Sequence, residues 1–138
     1  MKTNRIATRI ASAALCVIAA ACGDGKRGVV EPPAPVPGVL TVSLATPNAD
    51  DRAAVLTITG PAAISSVSPS TGIVEHHRTN AGTTRVAVFG ALSSGALLRI
   101  SVADVNQAAQ YTVSLEEVAD ATNALRPTLT GYTASVVR

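Results

Sequence analysis

From Gly38 to the C-terminus, apolar and polar residues alternate with a period of two. Leu40, Val42 and Leu44 alternate with Thr41 and Ser43. Because successive side chains of a strand point to opposite faces, this pattern indicates a strand with one buried face. Turn-forming residues separate such segments about every dozen residues. The alternation predicts eight strands: 40–44, 54–59, 64–67, 73–77, 85–89, 98–102, 111–115 and 132–136.

Many short strands with regular turns favour an all-β fold, an antiparallel two-sheet β-sandwich. The one segment that could instead be helical is Glu116–Leu125. Thr122 and Asn123 inside it and Pro127 after it limit a helix there to about two turns.

The first 21 residues have a different pattern. Three basic residues among the first nine precede the apolar run Ile10–Ala21, and Ala19–Ala21 supplies small residues just before Cys22. The run is shorter than the roughly 18 to 20 residues that a membrane-spanning helix needs. We therefore expect a signal helix over residues 1–21, cleaved between Ala21 and Cys22.

A short run of small and apolar residues that ends in cysteine resembles the lipobox of bacterial lipoproteins, with Ala19 where leucine is usual. The resemblance implies that Cys22 receives a diacylglyceryl group and an N-acyl chain, which together hold the protein in a membrane. The expected location is then the bacterial envelope, at the outer membrane or the cell surface. Ordinary signal peptidase would cut the same bond, and its product would be a freely secreted protein.

Residues 22–37 are predicted to be a disordered linker. Gly23–Gly28 is glycine-rich and flexible, whereas four prolines between Pro32 and Pro37 favour a stiff, extended chain. Gly23–Gly28 also matches the letters of the dinucleotide fingerprint G-x-G-x-x-G. That motif needs a strand before it and a helix after it, and neither is predicted here, so no nucleotide or other cofactor is expected.

Processing changes the charge and the cysteine content. Three of the eleven basic residues lie in the leader, so the mature chain carries eight basic and nine acidic residues, a formal charge of −1. Such a balance gives no reason to expect a nucleic-acid partner. Cys16 is lost with the leader and Cys22 is used by the anchor, so the domain 38–138 has neither a disulfide nor a thiolate metal site. Its stability must come from its own core.

Candidate metal ligands are few. His76 and His77 are neighbours on a predicted strand and therefore point to opposite faces, which keeps them from sharing an ion. Asn48, Asp50 and Asp51 are weak candidates for calcium, because their loop lacks the EF-hand ligand series and such residues are common in turns.

Catalytic patterns are equally scarce. No G-x-S-x-G elbow occurs, and Gly90–Gly95 has the wrong spacing for one. We predict that the protein is not an enzyme. A small hydrolase that uses His76 or His77 is the weakest alternative.

The chain has only three aromatic side chains, Phe89, Tyr111 and Tyr132, and all three are predicted to pack in the core. A flat polysaccharide site built from stacked rings is therefore not expected. Small hydroxyl residues predicted on a polar sheet face could instead meet a protein partner, although a solvated face has the same composition. These residues are Thr57, Thr59, Thr112 and Ser114.

The order of segments resembles a cohesin-type domain. The similarity lies in Ile64–Pro69, Asn80–Val88 and Gly95–Val102, and in a closing stretch over residues 113–120 and 130–137. It covers most of residues 38–138 and contains no diagnostic motif. It implies a jelly-roll or immunoglobulin-like β-sandwich, related to carbohydrate-binding modules, that binds dockerin-like proteins or polysaccharides and catalyses nothing. No binding residue can be transferred.

The expected function is thus a monomeric, envelope-anchored binding or scaffolding module. The alternative is a structural lipoprotein without a specific ligand.

Overall fold

A computed structural model describes residues 31–138. The predicted signal peptide, Cys22 and the glycine-rich start of the linker lie outside the described residues. Residues 33–138 form a compact unit. Its strands are β1 (Gly38–Ala45), β2 (Asp51–Thr59), β3 (Ser66–Pro69), β4 (Ile73–Asn80), β5 (Thr83–Gly90), β6 (Gly95–Val102), β7 (Thr112–Asp120) and β8 (Thr133–Val137).

The strands form two four-stranded antiparallel sheets, which confirms the predicted all-β sandwich. Sheet A has the order β3-β6-β1-β8, and sheet B has the order β4-β5-β2-β7. The pairs β1–β8, β2–β7, β3–β6 and β4–β5 have the connectivity of one long hairpin, and successive pairs alternate between sheet A and sheet B. The ladders β1–β6 and β2–β5 join these pairs at the centre of each sheet.

The core lies between the sheets and follows the alternation. Leu40 and Val42 of β1 and Leu56 and Ile58 of β2 are fully buried, while the residues between them are partly exposed. Inward residues of β5 and β6, such as Leu98, belong to the same core, together with Val118 of β7 and Tyr111. At about 25 cal/mol per Å² of apolar surface removed from water, this layer is the main source of stability in a domain without disulfides.

The segment 116–125, the one stretch that could have been helical, contains no helix. Residues 116–120 continue β7, and a turn follows. An extra residue, Glu116, bulges from β7 where Val55 and Leu56 of β2 are opposite Glu117 and Leu115. The bulge shifts the alternation by one, so Val118 is buried and Glu116 and Glu117 both lie on the outer side.

The one helix among the described residues is a short 3₁₀ helix, Val105–Gln110, between β6 and β7. Asp104 caps it by accepting a hydrogen bond from the backbone N–H of Asn106 at 3.0 Å. Within residues 31–138, no helix is long and apolar enough to cross a membrane.

The last residues of the predicted linker contact the domain. Val36 donates its backbone N–H to Asp104 Oδ1 at 3.1 Å and accepts a hydrogen bond from the N–H of Val105 at 2.8 Å. The bond from Val36 and that from Asn106 hold the pKa of Asp104 below its usual value. Residues 31–37 form neither helix nor strand, but their end is held in place just before β1.

Candidate functional site

The outer face of sheet A is polar and built from small hydroxyl residues. Two large apolar side chains lie on it, Val39 and Val137, and their cross-strand neighbours are hydroxyl residues, Ser101 for Val39 and Thr41 for Val137. Isolated apolar side chains of this kind are normal on protein surfaces. The face otherwise presents Thr41, Ser43, Ser66, Ser68, Arg99, Ser101, Thr133 and Ser135.

The outer face of sheet B is different, because its apolar residues are aligned across the strands. Val74 pairs with Phe89, Phe89 with Ala53, and Ala53 with Ala119. An isolated bridge adds Leu125, which pairs with Ala119. Directly paired residues share a face, so these five side chains form one continuous line, which we call the apolar row. At about 4.8 Å between strands, the row is roughly 19 Å long.

The large side chains of the apolar row are open to solvent. Val74 is 60% exposed, Phe89 47% and Leu125 63%. Scattered apolar residues need no explanation, whereas a contiguous exposed patch indicates an interaction surface. The expectation that Phe89 packs in the core is therefore wrong, while Tyr111 is buried and Tyr132 packs partly against the core as predicted. Phe89 shares the outer parity of Arg85 and Ala87, and this parity outweighs its preference for burial.

Below the apolar row, the face has a basic side and an acidic side. His76 and Arg78 of β4 lie at one margin, with Arg85 beside them on β5. Glu116 and Glu117 of β7 lie at the other margin.

One ion pair links the two sides. Arg85 Nε donates to Glu116 Oε2 at 2.8 Å, and Thr57 also donates to this carboxylate. The hydrogen bonds from Thr57 and Arg85 lower the pKa of Glu116.

Two charged side chains on this face, Arg78 and Glu117, are not part of that ion pair. Arg78 lies directly opposite Arg85 on the neighbouring strand, an arrangement of like charges that is unfavourable by itself. Neither Arg78 nor Glu117 makes a salt bridge within residues 31–138. An open depression of about 780 Å³ lies over β4 and β5, lined by His76, His77, Arg78, Arg85 and neighbouring residues.

The two histidines do not converge on one site. His76 lies edge-on to Phe89, with 6.4 Å between ring centroids, on the outer face. His77 is paired with Val86, which points inward, and its Nδ1 lies 3.0 Å from Glu75 Oε2. No group of three or more metal-ligating side chains comes together in the part of the chain that the structure describes.

The predicted hydroxyl residues lie on the same outer face as the apolar row, at its far end. Thr57 pairs with Ser114, and Thr59 pairs with Thr112. With Asn80 and Thr83 of the β4–β5 end, they form a polar margin. The face therefore grades from apolar, through charged, to small and polar along the strands.

The acidic loop before β2 is occupied by an arginine of the chain itself. Arg126 Nε donates to Asp51 Oδ1 at 2.8 Å, and its Nη2 contacts Asp50. Tyr132 donates its hydroxyl to Asp51 Oδ2 at 2.8 Å, and Thr46 donates to the same oxygen.

Asp51 is completely buried, and Asp50 is exposed. Asn48 donates its side-chain amide to the Tyr132 hydroxyl at 2.6 Å and so joins the same network indirectly. In this structure the positive charge beside the two carboxylates comes from Arg126, and the loop forms a structural junction. It ties the segment after β7 to the β1–β2 loop.

Two carboxylates at this junction, those of Asp51 and Asp120, have lowered pKa values. Burial alone would raise the pKa of Asp51, but the hydrogen bonds from Thr46, Arg126 and Tyr132 outweigh it. Asp120 accepts from the hydroxyl of Thr122 at 2.7 Å and from its backbone N–H at 2.8 Å, and these bonds lower its pKa as well. The hydrogen bond to Asp51 raises the pKa of Arg126 and outweighs the lowering effect of burial, so this guanidinium stays charged.

The lowered values predict a loss of stability in acid. A carboxylate with a depressed folded pKa stabilises the fold above its unfolded pKa of about 3.9, and this contribution disappears as pH falls through the folded value. The free energy of unfolding, measured in urea from pH 7 to pH 2, should be flat above about pH 5 and fall below about pH 4. Asp120→Asn should make the fall shallower. An increase in stability on acidification would contradict the junction as described.

Sequence reasoning missed Arg126 and the apolar row. Asp51 and Arg126 lie 75 residues apart, and no local pattern connects them. A signal for the apolar row did exist, since Val74 has the parity of His76 and Arg78, and Phe89 has the parity of Arg85. That shared parity places both apolar residues on the charged face.

Comparisons with known proteins give no relative from which a role could be transferred. No protein-family model matches the chain, and no curated protein or solved structure matches it significantly.

Proposed function

We propose that this protein is a non-catalytic lipoprotein of the bacterial envelope, and that its β-sandwich makes protein contacts through the outer face of sheet B. The leader and Cys22 support the anchoring part of the proposal. The observation that carries the contact part is the apolar row, in which three large side chains remain 47 to 63% exposed. Burying them against a partner releases apolar surface from water, which is the general driving force for association.

Protein contact fits this face better than polysaccharide binding does. Sugar rings are held by stacking on several aromatic side chains, and among the described residues Phe89 is the single phenylalanine, tyrosine or tryptophan on the face. Protein interfaces combine an apolar centre with a polar or charged rim. The apolar row and its neighbouring charges have that composition.

A structural lipoprotein without a specific ligand is the second candidate. The outer face of sheet A favours it, because a sheet of serine and threonine with isolated valines is suited to solvent rather than to a partner.

Photo-cross-linking in living cells tests the proposal. The full-length protein is made with a photoreactive phenylalanine analogue at position 89, and in a matched control at Thr41 on the outer face of sheet A. We expect discrete cross-linked products from position 89 in the membrane fraction and none from position 41. The Cys22→Ser variant should move the protein to the soluble fraction, because its lipid anchor is lost.

Two results would contradict the proposal. Position 89 giving no more product than position 41 would favour the structural role. A cytoplasmic protein that retains residues 1–21 would remove the envelope location.

A further inference from the structure

We infer that the outer face of sheet B is covered by the same face of a second copy of this chain. The two copies are related by a two-fold axis that runs parallel to the strands. The inference uses the contact surface of the proposed function and names its partner. It is derived from the self-complementarity of that face.

Symmetry determines which residues meet. A two-fold interface brings the same patch of both copies together. Rotation about an axis along the strands keeps each residue's position along the strand and exchanges the two margins of the sheet. The apolar row therefore lies on the apolar row of the second copy, and the β4 margin lies over the β7 margin. Two sheets packed face to face with nearly aligned strands are a common arrangement.

The apolar rows match in this arrangement. With the axis between β5 and β2, Phe89 lies over Ala53 of the second copy, and Val74 lies over Ala119 and towards Leu125. Phe89 and Val74 are thus each opposite an alanine, and Leu125 lies beside the contact that Val74 makes. Alternation of large and small side chains lets two faces interdigitate without voids.

The charges match as well. The rotation places Arg78 over Ser114 of the second copy, because both lie at the level of Arg85 and Thr57, and it places His76 over Glu117. Glu117, the acidic residue without a salt bridge of its own, is thus a diagonal neighbour of Arg78, and a long side chain can reach such a neighbour. The symmetry makes this contact twice. It also supplies a carboxylate beside the directly opposed Arg78 and Arg85, and so removes an unfavourable arrangement within each copy.

The shape of the face agrees with this pairing. The open depression of about 780 Å³ lies over β4 and β5 on the basic side, and the bulge at Glu116 leaves two exposed side chains, Glu116 and Glu117, on the outer side of β7 at the acidic margin. The rotation places the acidic margin of each copy over the depression of the other.

The size of the face indicates a weak dimer that the membrane strengthens. A face roughly 20 Å wide and 25 Å long covers about 500 Å² in projection. Two such faces bury on the order of 1,000 Å², which is the lower limit for a specific interface. Anchoring both copies in one membrane raises their effective concentration without any new contact.

Charge exchange between two variants tests the inference. The full chain carrying Cys22→Ser is exported without its anchor and studied by sedimentation equilibrium up to about 1 mM, the range in which weak interfaces are populated. We expect a concentration-dependent dimer. Arg78→Glu alone and Glu117→Arg alone should each weaken it about tenfold or more, because each brings like charges close to each other at two symmetric places. An equimolar mixture of the two variants should regain the wild-type affinity, since both contacts in the mixed dimer are then attractive.

Arg99→Glu, on the outer face of sheet A, is the matched control and should leave the dimer unchanged. Arg78 and Glu117 are exposed, and thermal melts verify that the variants are folded. Arg78→Ser and Glu117→Gln replace any variant that is not folded, and each should weaken the dimer more mildly.

A wild-type protein that stays monomeric, or single variants that associate as well as the wild type, would overturn the inference. So would a mixture no better than its components. Cross-linking from position 89 to a different protein would leave the proposed function standing and remove only the self-association.

Discussion

Replacing Asp51 by alanine is expected to destabilise the domain by about 3 kcal/mol or more, because its buried carboxylate accepts from three side chains, two of them from distant parts of the chain. Arg126, Tyr132 and the nearby Thr46 all donate to it. Without Asp51, the Tyr132 hydroxyl loses its acceptor, and the guanidinium loses its buried partner. Urea denaturation monitored by circular dichroism at pH 7 measures the change.

Asp50→Ala is the matched control for this substitution. Asp50 is the neighbouring residue, has the same side chain and also contacts Arg126, but its side chain is 59% exposed. Exposed ion pairs contribute little, so Asp50→Ala should leave the unfolding midpoint nearly unchanged. Equal effects of the two substitutions would mean that burial of Asp51 does not matter, and the description of the junction would be wrong.

The junction also explains why this domain can end in a short edge strand. β8 has five residues and pairs only with β1. The chain that leads to it turns after β7, where the N–H of Arg126 donates to the carbonyl of Val118 at 2.8 Å, and then passes the buried Asp51. Polar contacts to the β1–β2 loop therefore hold this segment in place, and Ala134 and Val136 of β8 add partly buried apolar contacts to the core.

The predicted strands and the actual strands agree where local alternation decides the outcome. In β1, the side chains of Leu40, Val42 and Leu44 are all buried, as a period of two requires. The agreement is poorer for β3, predicted over 64–67 and found at Ser66–Pro69, because its few residues carry only one fully inward apolar side chain, Val67. Short segments give the pattern too few positions to define their bounds.

The order of the strands in the sheets could not be predicted from the sequence. That β1 pairs with both β6 and β8 depends on contacts between segments more than fifty residues apart. The bulge at Glu116 could not be predicted either. The sequence shows alternation up to Leu115 and another inward apolar residue at Val118, but it does not show which residue between them is the extra one. Residue type was also misleading at Phe89, where an aromatic side chain suggested the core although its parity with Arg85 indicated the surface.

Replacing Gly90 by alanine is expected to cost about 3 kcal/mol or more, the second large effect on stability. Gly90 ends β5 with a φ of +143°, which side chains rarely adopt, and a Cβ there would overlap the carbonyl oxygen of Gly72. Backbone strain and overlap with backbone atoms each cost about 1 to 3 kcal/mol. The overlap cannot be relieved by a rotamer change, since the atom in the way belongs to the β3–β4 turn.

Gly95→Ala separates the two contributions to the Gly90 effect. Gly95 begins β6 with a nearly identical φ of +137°, but a Cβ there would meet nothing within 4 Å. This control should therefore cost only the backbone strain, about 1 to 3 kcal/mol. The difference between the two variants in urea denaturation measures the overlap with Gly72. If Gly90→Ala were no more destabilising than Gly95→Ala, the close approach of the β3–β4 turn to the end of β5 would be refuted, and with it the position of Val74 beside Phe89 at the start of the apolar row.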